Sequence, residues 1–131
     1  MLTRIAVVEE EPDISRIIRE VLRESGYDVV SYFKPSADIL DHIRELNPDI
    51  VMVDARLNCS ITGWDIIEAL KQDPSTSAIR IIVCCGALDQ IREHEPLLQR
   101  HGIAVLPKPF DIDDLEALVG RVLVGEPVAG S

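Results

Sequence analysis

The feature that most constrains this chain is a recurring change of period. Short apolar runs with no alternation are separated by segments whose apolar residues return every three to four positions. Ile5-Ala6-Val7-Val8 and Ile50-Val51-Met52-Val53 have no polar side, so each fits a strand buried on both faces. Between them, Ile14, Ile17, Ile18, Val21 and Leu22 form one helical stripe. Pro12 suits the first turn of that helix, and Gly26 ends it. The pattern continues as a strand over 28–33, a helix over 35–46 stopped by Asn47-Pro48, and a polar loop from Asp54 to Gly63. A short helix over 64–70 is followed by strands over 79–84 and 103–106, and by a helix over 111–123 capped by Asp111. The segment from Ala87 to Gly102 is expected to be helical. Pro96 inside it requires either a kink near Arg92–Pro96 or a short helix starting near Glu95.

Five such strands alternating with helices predict an α/β fold, a parallel sheet covered on both faces. The length of 131 residues suits one domain, placed at 1–124 with a frayed tail over 125–131. Hydrophobic residues at 47% and charged residues at 27% argue against disorder. The formal net charge of -10 argues against direct nucleic-acid binding, which needs a basic face. No apolar run is long enough to span a membrane, and the run after Arg4 is too short for a signal-peptide core. Cys59, Cys84 and Cys85 do not make a disulfide framework, so a reduced, cytoplasmic setting is expected. Adjacent strand positions turn Cys84 and Cys85 to opposite faces, with Cys84 expected in the core and Cys85 at a site edge. His42, His94 and His101 show no ligand spacing and are expected on the surface. Trp64 is expected to pack at a helix start.

In parallel sheets of this kind, polar residues just past the strand C-termini meet at one edge. That rule gathers Glu9-Glu10-Glu11, Asp54, Cys85-Gly86 and Lys108. Glu11 is expected to serve the helix N-terminus. Close carboxylates repel unless a cation intervenes. Lys108 supplies one charge, and a divalent hard cation such as Mg²⁺ would supply more. The chemistry suggested is phosphoryl transfer to an aspartate.

Three pieces, Val7-Val8-Glu9-Glu10-Glu11-Pro12, Ile50-Val51-Met52-Val53-Asp54 with Leu57 and Gly63, and Leu106-Pro107-Lys108-Pro109-Phe110, occur in an order and spacing that resembles the receiver domains of two-component response regulators. The resemblance covers the chain from Ile5 to about Leu123. It implies a flavodoxin-like sheet in the order 2-1-3-4-5. It implies that Asp54 accepts a phosphoryl group from a sensor histidine kinase or histidine phosphotransfer protein. It implies Mg²⁺ held by Asp54, Glu9, Glu10 and the backbone carbonyl of Arg56, and Lys108 paired with the phosphoryl oxygens across a Lys108–Pro109 bond that is often cis.

Several residues depart from the family pattern. Glu9-Glu10 replaces an aspartate-rich pair, and each added methylene moves a ligand oxygen by roughly 1–1.5 Å. Cys85 stands where a serine or threonine hydroxyl is usual, and a thiol is a weak donor. Val105 stands where the switch aromatic is usual. The Asp54–Gly63 loop is one residue longer, with Asn58 in place of a common proline. Pro96 disturbs a helix of the usual output surface.

The leading expectation is a stand-alone receiver that signals by contact with a downstream protein or passes the phosphoryl group onward, with homodimerisation left open and slow self-dephosphorylation as its only catalysis. The alternative is a phosphorylation-independent interaction module. A flavodoxin-like small-ligand enzyme is disfavoured, because no glycine-rich phosphate loop follows the first strand.

Overall fold

A computed structural model describes residues 2–57 and 61–125. The apolar runs form five strands: β1 (Arg4–Val8), β2 (Asp28–Tyr32), β3 (Ile50–Asp54), β4 (Arg80–Cys85) and β5 (Ala104–Pro107). All pairings are parallel, and the sheet order is β2-β1-β3-β4-β5. The helices are α1 (Pro12–Glu24), α2 (Ile39–Leu46), α3 (Gly63–Gln72), α4 (Leu88–Glu93), α5 (Glu95–His101) and α6 (Ile112–Leu123). This is the flavodoxin-like order that the family resemblance implies.

Alternation along each buried strand feeds two cores. Ile5, Val7, Met52, Ile82 and Leu106 pack with Ile18 and Leu22 of α1 and Leu115, Leu118 and Val119 of α6. Ala6, Val8, Val51, Val53 and Val83 pack on the other face with Ile39, Ile43, Ile66, Ile67, Leu70 and Leu98. With both faces covered, neither side of a strand can be polar, which is why the runs lack alternation. No described helix is long and apolar enough to cross a membrane.

Three local expectations need correction, and a fourth is settled between its two alternatives. The second helix starts at Ile39 rather than at residue 35. Ser36 Oγ donates to Asp38 Oδ1 and the Ile39 N–H reaches the Ser36 carbonyl, so these residues satisfy a turn instead of a helix. The third helix runs from Gly63 to Gln72, longer than expected, because Thr62 and Asp65 form a reciprocal capping box at its start. The last two strands are each displaced by one residue toward the C-terminus. The segment containing Pro96 takes the second of its two expected forms, a short helix starting at Glu95, with a separate helix before it. It is two helices divided at His94, with Pro96 in the first turn of α5, where a missing N–H is tolerated. Asp111 does cap α6, again through a capping box, with Asp114. Asn58, Cys59 and the tail beyond Gly125 lie outside the described residues.

Candidate functional site

Parallel register brings the strand ends to one edge. Val8 lies beside Val53, Asp54 beside Cys84, and Cys85 beside Pro107. The ladder bonds continue past the strands, Glu9 N–H to Tyr32 O at 3.2 Å, Ala55 N–H to Cys84 O at 2.9 Å and Lys108 N–H to Cys85 O at 3.0 Å. Each side chain of interest is therefore carried on backbone held by the sheet.

At that edge the Lys108 ammonium donates to Glu9 Oε1 at 2.9 Å and lies 3.2 Å from Asp54 Oδ2. The other Asp54 oxygen, Oδ1, accepts the Arg56 backbone N–H at 3.0 Å. Glu9 and Asp54 are both buried. Glu9 Oε2 is enclosed and meets no hydrogen-bond partner. Burial, and next the neighbouring Asp54 carboxylate, push the Glu9 carboxyl up to about 7 against the pull of Lys108. Burial acts to lower the Lys108 amine, but the Glu9 and Asp54 carboxylates outweigh it and raise the value.

Lys108 lies between two prolines that have no N–H of their own, its N–H pairs with Cys85 O, and the Lys108–Pro109 bond is cis. Gly63 keeps α3 close to the end of β3. A Cβ there would sit 2.1 Å from the Asp54 carbonyl oxygen and 2.8 Å from Ala55 Cα, so only glycine fits without moving the backbone that carries Asp54.

A cleft of about 330 Å³ opens over these groups, lined among others by Glu10, Asp54, Arg56, Cys85, Gln90 and Lys108. The structure thus brings together Glu9, Glu10, Asp54, Arg56, Cys85 and Lys108. Glu9 lies beneath, tied to Lys108, while Glu10 is on the cleft wall. Cys84 faces one core and Cys85 the other. Cys85 Sγ is spent on the Ala87 carbonyl at 3.5 Å. Burial pushes the Cys84 thiol up to about 12. Val105 is half-buried and packs against the core of the α2–α3 face.

Two residues of this region were not legible in the sequence as a pair, Gln90 and Trp64. Gln90 lines the cleft, and its Oε1 accepts from Trp64 Nε1 at 3.3 Å. Trp64 is buried at the start of α3, as expected, but it also stacks on His94, with ring centroids 3.9 Å apart and planes within 2°. His94 is accordingly half-buried rather than a surface residue. The available signal for Gln90 was its place in the first helix after β4, where a helical turn must face the strand end.

The response regulator receiver domain model matches residues 5–120. The chain belongs to that family. This receiver domain is 29% identical over 125 residues to the DNA-binding dual master transcriptional regulator RpaA of Synechocystis, a match covering 93% of the chain and 49% of RpaA. It is 25% identical over 123 residues to the chemotaxis protein CheY of Bacillus subtilis, covering 94% of the chain and 99% of CheY. The receiver thus spans nearly all of one relative and about half of the other. Among solved structures, the receiver domain of the sensor histidine kinase PA1611 from Pseudomonas aeruginosa, with a magnesium ion coordinated in its active-site cleft, superposes with a TM-score of 0.78 at 23% identity, over 92% of this chain and 97% of that one. Receiver domains are signalling domains of two-component systems, and phosphoaspartate and Mg²⁺ are typical of the family.

Among the described residues no group of three or more His, Cys, Asp or Glu side chains is gathered tightly enough to hold a metal by itself. Mg²⁺ does not require one, since it usually takes one or two carboxylates and fills its shell with water and phosphate oxygen. The donors here are hard oxygens, and the enclosed Glu9 Oε2 has no donor among the described residues, a need that a proton, a water or a cation can meet. The residues present therefore fit a small divalent cation.

Proposed function

We propose that this receiver accepts a phosphoryl group on Asp54 from a histidine kinase or histidine phosphotransfer protein and signals through protein contact. The observation that carries the reading is the triad of Asp54, Glu9 and Lys108, with one ammonium within 3.2 Å of both carboxylates. A carboxylate oxygen of Asp54 attacks phosphorus, and the bond from phosphorus to the donor nitrogen breaks with its electron pair leaving on that nitrogen. Negative charge then spreads over the phosphoryl oxygens. Lys108 already faces Asp54 and can turn to those oxygens without leaving Glu9. Arg56 N–H holds the Asp54 carboxylate in place during attack.

Asp54, with Glu9 and Glu10, would hold Mg²⁺, and the Arg56 carbonyl would complete the protein's share. The metal would supply charge neutralisation between carboxylate and phosphate. The same side chains make the site anionic without it, so phosphoryl acceptance is expected to require the divalent ion. Hydrolysis of the aspartyl phosphate by water is the only turnover assigned to the chain.

The test is intact mass measurement after incubation with acetyl phosphate and Mg²⁺. One phosphoryl group is expected on the wild-type chain and none on Asp54→Asn. Equal masses for the two would remove the phosphoacceptor reading and leave a phosphorylation-independent interaction module.

A further inference from the structure

We infer that the side-chain amide of Gln90 donates a hydrogen bond to the phosphoryl group on Asp54, in place of the hydroxyl that Cys85 lacks. The inference rests on the reading of Asp54 as the acceptor.

Gln90 is half-buried and lines the same cleft as Asp54, Arg56, Cys85 and Lys108. Its orientation is imposed. An indole N–H can only donate, so the 3.3 Å contact with Trp64 Nε1 must be made by the amide oxygen. That leaves the NH₂ end as the remaining polar group, and it has no partner among the described residues. Trp64 is in turn locked by its stack on His94. The His94 ring closes the unit, since Nδ1 lies 2.8 Å from the backbone carbonyl of Gln90 and must carry the hydrogen there. Indole to amide, ring to ring and imidazole to carbonyl form one closed brace between the start of α3 and the end of α4. Its only uncommitted donor is on a residue of the cleft wall.

Cys85 cannot supply that donor well. Its thiol is a weak donor and is engaged with Ala87 O. A neutral amide held in advance stabilises charge that develops on phosphoryl oxygen without adding an unpaired charge to the free site.

Two variants separate this role from packing and from charge. Gln90→Glu keeps an oxygen for Trp64 but exchanges the donor for a second acceptor. Gln90→Met keeps the side-chain length with neither donor nor charge. Each is compared with wild type in the full chain for the rate of phosphorylation by acetyl phosphate with Mg²⁺, for beryllofluoride binding by titration calorimetry with the emission of Trp64, the single tryptophan, recorded separately, and for thermal unfolding. The expected result is a loss of about tenfold or more in rate and in beryllofluoride affinity for both variants, the scale of a hydrogen bond to a charged group. Gln90→Glu should unfold at the wild-type temperature, and wild-type Trp64 emission should change on beryllofluoride binding. An unchanged rate in either variant, or a silent Trp64 when beryllofluoride binds, overturns the assignment while leaving Asp54 as acceptor. Absence of any mass gain on wild type overturns both.

Discussion

Replacing Glu9 by glutamine should remove most of the pH dependence of stability between about pH 4.5 and 7. Glu9 titrates near 4.5 in an unfolded chain and at about 7 in the folded one, through burial first and the adjacent Asp54 second. Over that window the folded state keeps a proton that the unfolded state has released. Stability is therefore full below the unfolded value and is lost as pH rises through the folded one, at up to about 1.4 kcal/mol per pH unit. Across the window the loss is about 3 kcal/mol. Glutamine still accepts from Lys108 through Oε1, and its NH₂ faces Asp54 as a donor where Glu9 Oε2 now has no partner. Urea unfolding followed by tryptophan fluorescence, without divalent cations, measures this directly. With a slope of about 1–3 kcal/mol per molar, the wild-type midpoint should fall by roughly 1 M or more between about pH 5 and pH 8, while that of Glu9→Gln should move far less. Wild-type and variant curves that run parallel across that range would show that Glu9 is not the buried proton-binding group described here.

Other perturbations follow from the same geometry. Gly63→Ala must displace the backbone of Asp54 and Ala55, and should cost about 2 kcal/mol in urea unfolding; Gly120→Ala, on α6 with open space at its Cβ, should stabilise by roughly 0.5–1 kcal/mol. Lys108→Met leaves Glu9 and Asp54 facing each other without a cation, so it should abolish labelling by acetyl phosphate and move the acid-side stabilisation of the fold to higher pH. Mg²⁺ at 100 times its dissociation constant should raise unfolding free energy by about 2.7 kcal/mol at pH 8, an effect that Asp54→Asn should largely remove in the same titration. Thr62→Ala should cost about 1 kcal/mol of stability by opening the capping box of α3.

The sheet could be read from the sequence because burial on both faces leaves a mark that no local competition erases. Ile5–Val8 and Ile50–Val53 carry that mark and occupy adjacent strands. Helix starts were harder where a local alternative existed. The Ser36–Asp38 turn outcompetes the first helical turn after Pro35, and only the hydrogen bonds reveal it. Pro96 signalled an interruption, but a kink and a fresh start have the same sequence, and the structure resolves it as a new helix. At the site, strand-end logic put Asp54, Lys108 and the glutamate pair on one edge. It could not say which glutamate would be buried against Lys108, because that depends on how the chain turns after Val8. The Trp64–Gln90–His94 brace left no trace at all, since its members meet only through tertiary packing and none has a repeating pattern.

One consequence lies in the divided helix beside the cleft. α4 contributes no fully buried side chain to either core; Ile91 packs only half-buried against one of them, and Leu88 is 61% exposed. Segments with so little apolar anchorage open at a small fraction of the global unfolding cost. The amides of Ile91 and His94, bonded to Ala87 and Gln90, should thus trade hydrogen for deuterium long before those of β3. A binding partner could then remodel this short rod without disturbing the platform beneath it.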